Sequence, residues 1–193
     1  FVMTTVYFVR HAQADSSIQN TFLRPLTERG LCDCSLVTNF LEDKNIDVAF
    51  SSPYKRAVDT IIDFTNKKGI PIKLVDDFRE HETISDNYSD AEYFPFIQQY
   101  WENTDYKIPG DESITDLQNR NIRALQTIIK EYKDKNIIIG THGMALSAII
   151  NYYDKAYGYN EFLLMVKIKP WVVKMVFKED LCTQMEYIDL FAT

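Results

Sequence analysis

Two of the three histidines in the chain follow short apolar runs that are typical of buried strands. The run TVYFVR ends in Arg10 and is followed by His11, and the run NIIIG is followed by Thr141 and His142. In open parallel sheets the carboxyl ends of the strands lie at one edge, where ligands bind. Both imidazoles are therefore expected at that edge, where one could act as a nucleophile or an acid-base group.

A second predicted strand, DVAF, is followed by Ser51, Ser52 and Pro53. Ser52 and Pro53 are expected to be the N-cap and first residue of a helix. Arg56 would then lie one turn into the helix. Helical side chains lean toward the N-terminus, so its guanidinium should reach back over the strand ends beside free N–H groups. Such an arrangement suits a phosphate group.

Two more segments should deliver polar groups to the same edge. A third strand leads into Arg79, Glu80, His81 and Glu82, and His142 is followed by Gly143 at the start of another predicted helix. Helix dipoles favour an anion at that start. An Arg-His or His-Gly pair alone is usually structural, but the convergence of four segments with two arginines, two histidines and a carboxylate indicates an anion site.

The elements that must position these residues alternate between strands and helices, which is the pattern of an α/β fold. Predicted strands cover residues 5–10, 47–50, 72–75 and 136–140, and predicted helices cover 26–43, 53–67, 113–133 and 144–153. Two or three later runs, 162–169, 172–177 and 184–188, are spaced like antiparallel edge strands. We expect a three-layer sandwich, with helices on both faces of a mostly parallel, buried central sheet and an antiparallel edge.

Residues 77–112 interrupt this rhythm with a long polar and aromatic stretch that contains one amphipathic helix near 91–101. Connections of this length are commonly lids or binding loops. We therefore predict one domain over residues 1–193 with a lid-like insertion at about 81–109. Residues expected near the mouth of the site are Tyr88, Tyr93, Phe94, Phe96, Tyr100, Trp101 and Tyr106, with Asp86, Asp90 and Glu92.

The composition limits the partners of the chain. It has 21 basic and 28 acidic residues, a net charge of −7, so neither nucleic acid nor a membrane surface is an expected partner. No apolar run is long enough to cross a bilayer, and we expect a cytoplasmic protein. The three cysteines, Cys32, Cys34 and Cys182, are expected to be reduced, and no metal site is expected. The oligomeric state stays open.

Six segments, in their order along the chain, resemble the motifs of the histidine phosphatase superfamily, which includes phosphoglycerate mutases and acid phosphatases. They are FVRHAQA, RPLTERG, SSPYKRAVDTI, FRE, GDESITDLQNR and IIIGTHGMALSAI. The resemblance implies that His11 is the nucleophile and Glu80 the acid-base group. It also implies a phosphate pocket formed by Arg10, Arg56 and His142.

The chain departs from the family pattern at three places. Ala12 and Gln13 stand where many members have Gly-Glu, and Ser17 stands where many have a phosphate-contacting Asn. The segment after Glu80 lacks the usual Gly, which leaves Glu82 as an alternative acid. His81 is expected to be a loop histidine that could contact substrate, whereas GDESITDLQNR is interpreted mainly as a helix start with a capping box.

These residues predict hydrolysis of a small phosphomonoester without a metal or other cofactor. Neutral His11 would attack phosphorus through one ring nitrogen, while the other donates to a backbone acceptor. Arg10, Arg56 and a protonated His142 would stabilise the phosphoryl oxygens, and Gly143, Ser17 and Glu82 would help to bind substrate. A phosphoglycerate mutase and a non-catalytic scaffold that binds phosphorylated ligands are the alternatives.

Overall fold

The structure is a computed structural model that describes residues 2–84 and 88–192. In this part of the chain six strands form one sheet. They are β1 (Thr4–Arg10), β2 (Val48–Ser51), β3 (Ile72–Leu74), β4 (Asn136–Thr141), β5 (Trp171–Lys178) and β6 (Leu181–Ile188). The strand order is β3-β2-β4-β1-β5-β6. The pairs β1–β5 and β5–β6 are antiparallel, and the other pairs are parallel. The predicted mixed α/β sheet is confirmed.

The register between β1 and β4 brings the two histidines together. Arg10 pairs with Thr141 at the carboxyl ends of the strands, and the N–H of His11 donates to the Thr141 carbonyl at 3.1 Å. Because both strands are parallel and in the centre of the sheet, His11 and His142 emerge side by side.

Helices cover both faces of the sheet. They are α1 (Glu28–Leu41), α2 (Lys55–Lys68), α3 (Asp90–Glu102), α4 (Ile114–Glu131), α5 (Gly143–Tyr153) and α6 (Tyr159–Met165), with a 3₁₀ turn at Asp76–Phe78. Alternate residues of β1 separate the two cores. Tyr7 and Val9 pack with residues of α1 and α2, whereas Val6 and Phe8 pack with the other helices.

Helix α1 is fixed to the loop that follows His11. Thr27 caps the helix by accepting from the Gly30 N–H at 3.0 Å, and the Gln13 carbonyl accepts from the Thr27 N–H at 2.9 Å. A Cβ on Gly30 would lie 2.2 Å from that carbonyl. Only glycine therefore lets α1 approach the loop after His11 this closely.

Three local predictions are wrong. The run 162–169 begins within helix α6, where Phe162 and Met165 are buried one turn apart and Glu161 bonds back to the Gly158 N–H. Helix α2 begins at Lys55 instead of residue 53. Strand β3 is parallel as predicted, but it is an exposed edge strand rather than a buried one.

The insertion is partly built into the core. Ile97, Tyr100 and Trp101 of α3 are buried in the large cluster, so the expectation that Tyr100 and Trp101 face the mouth is wrong. Burial and a 2.6 Å hydrogen bond to Asp111 raise the pKa of Tyr100 to about 12. Of the acidic residues expected near the mouth, Asp86 lies outside the described residues.

None of the described helices is both long and apolar enough to span a membrane. The described His, Cys, Asp and Glu side chains include no group of three or more that could hold a metal ion. Cys32, Cys34 and Cys182 are unpaired thiols, and burial raises the pKa of Cys34 to about 11.

Candidate active site

His11 lies directly after β1 and has partners on both ring nitrogens. Nδ1 is 2.7 Å from the Ala12 carbonyl, which can only accept, so Nδ1 carries the hydrogen. Nε2 accepts from the Nε–H of Arg56 at 3.2 Å and is therefore unprotonated. Burial, then the charges of Arg56 and Arg10, hold the pKa of His11 well below its ordinary value. The imidazole is neutral, and its free electron pair lies on Nε2.

His142 is the N-cap of α5 and is completely buried. Its ring centroid is 5.3 Å from that of His11, and its Nε2 is 2.7 Å from the Ser52 hydroxyl. Burial, and next the charge of Arg56, lower its pKa well below the ordinary value. The protonated His142 that we expect beside a bound phosphoryl group stays a prediction, because this lowered pKa belongs to the site alone.

The two predicted arginines have different hydrogen-bond partners at the site. Arg56 donates Nη1 to the Thr21 carbonyl at 2.5 Å in addition to its bond to His11. Arg10 donates Nη1 to the carbonyls of Met165 at 2.9 Å and Ile168 at 3.0 Å. Its Nε–H is buried and has no hydrogen-bond partner among the described residues, and burial lowers its pKa to about 10.

Gly143 makes room for Arg10 at the start of α5. A Cβ at this position would lie 3.2 Å from Arg10 Nη2 and 3.3 Å from Nε. Gly143 thus shapes the site by allowing the guanidinium to lie against the helix terminus.

Glu80 also reaches the start of α5. Its Oε1 accepts from the N–H groups of His81 at 2.8 Å and Ala145 at 2.9 Å, and Oε2 accepts from Met144 at 3.2 Å. Its negative charge counteracts part of the effect of burial on the pKa of Arg10. The Glu80 carboxylate is therefore anchored where His142, Gly143 and Arg10 also meet.

Three other predicted residues have different surroundings. Glu82 is exposed, with Oε1 2.6 Å from Arg79 Nε. Ser17 is exposed, and both its N–H and its hydroxyl bind Asp15 Oδ1, at 3.0 and 2.6 Å. His81 is buried against Tyr100, with Nε2 2.6 Å from the Glu112 carbonyl. None of these contacts joins the histidine pair.

The sequence did not indicate the positions that Ser52, Tyr54 and Lys169 take at the site. Ser52 was expected only to cap α2, and its hydroxyl binds His142 as well as accepting from the Tyr54 N–H at 3.3 Å. The Tyr54 ring lies 5.2 Å from His142 and 5.0 Å from the Arg56 guanidinium carbon. Lys169, next to the Ile168 carbonyl that binds Arg10, is half-buried and adds positive charge that lowers the pKa of His11. No local pattern marks a lysine that only the tertiary fold brings to the site.

The arrangement combines a neutral imidazole that has an electron pair on Nε2, a second histidine and two guanidinium groups at one sheet edge. Its positive charges suit an oxyanion with several oxygens, and the carboxylate at the start of α5 can exchange a proton. Together, these groups are of the kinds that phosphoryl transfer to a histidine requires.

Residues 6–164 match the model of the histidine phosphatase superfamily, branch 1. The chain is 28% identical over 152 residues to an uncharacterized phosphatase, PhoE, of Bacillus subtilis, covering 77% of this chain and 76% of that protein. It is also 28% identical over 171 residues to a 2,3-bisphosphoglycerate-dependent phosphoglycerate mutase of Cytophaga hutchinsonii, covering 79% and 78%.

A solved structure of phosphoserine phosphatase from Entamoeba histolytica, in complex with 3-phosphoglyceric acid, is similar with a TM-score of 0.77. The identity is 16%, and the match covers 97% of this chain and 98% of that one. This likeness bears on the fold, whereas the family match extends over the histidines, arginines and Glu80 described above. The chain belongs to the histidine phosphatase superfamily and is an enzyme of that type.

Proposed function

We propose that the protein hydrolyses a small phosphomonoester through a phosphohistidine formed on His11, without a metal ion. The observation that carries this proposal is the hydrogen bonding of His11, with Nδ1 bound to the Ala12 carbonyl and Nε2 facing the Arg56 guanidinium. The guanidinium attracts a phosphoryl group, and the electron pair of the neutral imidazole already points to the place where that group would bind.

In the first step an oxygen of the substrate phosphate takes over the Arg56 Nε–H, which frees His11 Nε2. Nε2 then bonds to phosphorus as the bond between phosphorus and the leaving oxygen breaks. The unpartnered Nε–H of Arg10 supplies a donor for a second phosphoryl oxygen. His142 takes up a proton only when the phosphate binds, because the dianion offsets the charge of Arg56 and so favours the protonated imidazole.

Glu80 is our candidate for the general acid. A carboxylate offers about four acceptor directions, and Oε1 already accepts two N–H groups whereas Oε2 accepts one. Oε2 is thus the oxygen that can carry the proton for the leaving alkoxide. The same oxygen then receives a proton from the water that attacks the phosphohistidine, which restores both residues. Glu82 is the weaker candidate because Arg79 already engages it.

The decisive experiment traps the intermediate. The purified enzyme is mixed with a ³²P-labelled phosphomonoester, quenched in alkali, and examined for acid-labile phosphohistidine. The wild type should carry label on His11, and His11→Ala should lose label and at least about 10⁴-fold in turnover. His81→Ala is the matched control, because it removes the imidazole of a histidine outside the pair, and this variant should keep its label. Label on His11→Ala, or full turnover by it, contradicts the proposal.

A mutase is the second candidate, because one of the relatives is a phosphoglycerate mutase. Mutases must retain a polyanionic acceptor, yet the Ser17 hydroxyl is bound to Asp15 and the insertion contributes Asp90 and Glu92. With 3-phosphoglycerate and a trace of bisphosphate we expect free phosphate as the main product. Rapid exchange between the 2- and 3-isomers without phosphate release would favour the mutase.

The proposed mechanism uses no metal ion, so prolonged chelation should leave the activity unchanged.

A further inference from the structure

The guanidinium of Arg120 on α4 uses all five of its N–H donors within the fold. Nε and Nη2 bind the two carboxylate oxygens of Glu112 at 2.6 and 2.8 Å. Nη1 binds the carbonyls of Asp77 at 2.7 Å and Arg79 at 2.8 Å, and Nη2 binds the Glu80 carbonyl at 2.9 Å. Three of its acceptors thus belong to the segment that carries the proposed acid.

This pair is buried, unlike the other ion pairs of the same segment. The Arg120 and Glu112 side chains are 7% and 11% exposed, whereas Arg123, which binds the Asp77 carboxylate, is 70% exposed. A buried arginine and glutamate are costly unless every donor and acceptor is paired. The complete pairing here indicates that the segment 77–80 is held in one place by a rigid planar fork.

Glu112 continues the same network toward Glu80. Its Oε2 accepts from the Glu82 N–H at 3.2 Å, its own N–H donates to the Glu82 carbonyl at 2.9 Å, and its carbonyl binds His81 Nε2 at 2.6 Å. Glu80 is therefore held from both sides, with its carbonyl on Arg120 and its carboxylate on the first turn of α5.

We propose that Arg120, together with Glu112, is a positioning residue for the general acid of the reaction. It fixes the main chain at Glu80 so that Oε2 is presented to the leaving oxygen. The inference rests on the proposed function of Glu80 and goes beyond it by assigning a role to two residues that do not touch substrate. A displacement of about 1 Å at a reacting group can cost about 10²-fold in rate.

The test compares esters that need an acid with esters that do not. Arg120→Lys keeps the charge but has three donors and no fork. We expect it to lower kcat about 10²-fold for an alkyl phosphate and less than about tenfold for 4-nitrophenyl phosphate, with KM little changed. Glu80→Gln is expected to give the same preference, and Glu112→Gln a weaker form of it.

Arg123→Met is the matched control, because it lies on the same helix and removes an exposed ion pair to the same segment. It should leave both esters unchanged. In the Glu80→Gln background, Arg120→Lys should cause no further loss with the alkyl ester. Circular dichroism and thermal unfolding check the folding of each variant, and Glu112→Gln provides the test if Arg120→Lys does not fold.

Equal losses with both esters in a folded variant, or a further loss in the Glu80→Gln background, would overturn the positioning role. An unchanged ratio of the two esters would do the same. These outcomes are separate from failure of the proposed function, which appears as activity or labelling that persists in His11→Ala.

Discussion

The hydrogen bond between Arg56 and His11 shows how residue chemistry and position depend on each other. His11 can accept at Nε2 only because Nδ1 donates to the Ala12 carbonyl, and this in turn needs the backbone turn that follows β1. Arg56 is fixed by the Thr21 carbonyl as well. The tautomer of His11 is thus set by a main-chain carbonyl on one side of the ring and a guanidinium on the other.

Lys169 is the residue whose charge we expect to matter most outside the predicted set. It is half-buried near Arg10, and its positive charge acts on His11. Lys169→Ala should raise KM for phosphomonoesters about three- to tenfold, the size expected for one partly screened charge, and the effect should shrink with added salt. Lys167→Ala, an exposed neighbour, should leave KM unchanged. Equal effects of both variants would contradict a specific role for Lys169.

At the scale of elements, the strands that carry the histidines were predictable because apolar runs end abruptly in polar residues. The start of α2 was predicted too early. The Ser52 hydroxyl binds His142 and also accepts from the Tyr54 N–H at 3.3 Å, but the helix begins only at Lys55. Local sequence does not distinguish a serine that caps a helix from one that closes the turn before it. The strand predicted at residues 162–169 was wrong for another reason, since a short apolar run does not distinguish a buried helix from a strand.

Long-range contacts account for the rest of what the sequence concealed. Arg120 and Glu112 lie in a motif that we interpreted mainly as a helix start, and the capping box of Ser113 and Asp116 is indeed present. The additional role becomes visible only when the chain brings residues 77–80 against α4. Sequence spacing contains no signal for a contact across about 40 residues.

Gly30 joins one element to the active-site loop, and its replacement should have a large effect. In Gly30→Ala the new Cβ would lie 2.2 Å from the Gln13 carbonyl, so α1 or the loop must move. We expect the free energy of unfolding to fall by about 3 kcal/mol and the activity to fall with it. Ser35→Ala, at an exposed position of the same helix, should be nearly neutral in urea unfolding. A Gly30→Ala protein as stable as the wild type would contradict the packing described.

For the whole molecule, two buried neutral histidines make stability depend on pH. The folded-state pKa values of His11 and His142 are both lowered well below 6.5. Below about pH 6.5 the unfolded chain therefore binds more protons than the folded protein, so the free energy of unfolding decreases as pH falls. The stabilisation is fully present above this pH. Each histidine contributes a slope of at most about 1.4 kcal/mol per pH unit.

Urea unfolding from about pH 7 to about pH 5 measures this slope. The double variant His11→Asn/His142→Asn should have a clearly smaller slope, because the two buried imidazoles no longer titrate. Some slope should remain, because the carboxyl groups still titrate. If the double variant keeps the full slope of the wild type, the buried histidines are not its source.

We expect the guanidinium that is bonded to His11 Nε2 also to make the enzyme selective among electrophiles. The electron pair should become reactive only when an incoming group draws Arg56 away, which an oxyanion can do and an uncharged ester cannot. A carboxylic ester with a good leaving group should therefore meet a masked nucleophile. We expect 4-nitrophenyl acetate to be cleaved no faster by the wild type than by His11→Ala, although 4-nitrophenyl phosphate separates the two proteins widely. In this way the resting site would exclude acyl transfer without a dedicated specificity pocket.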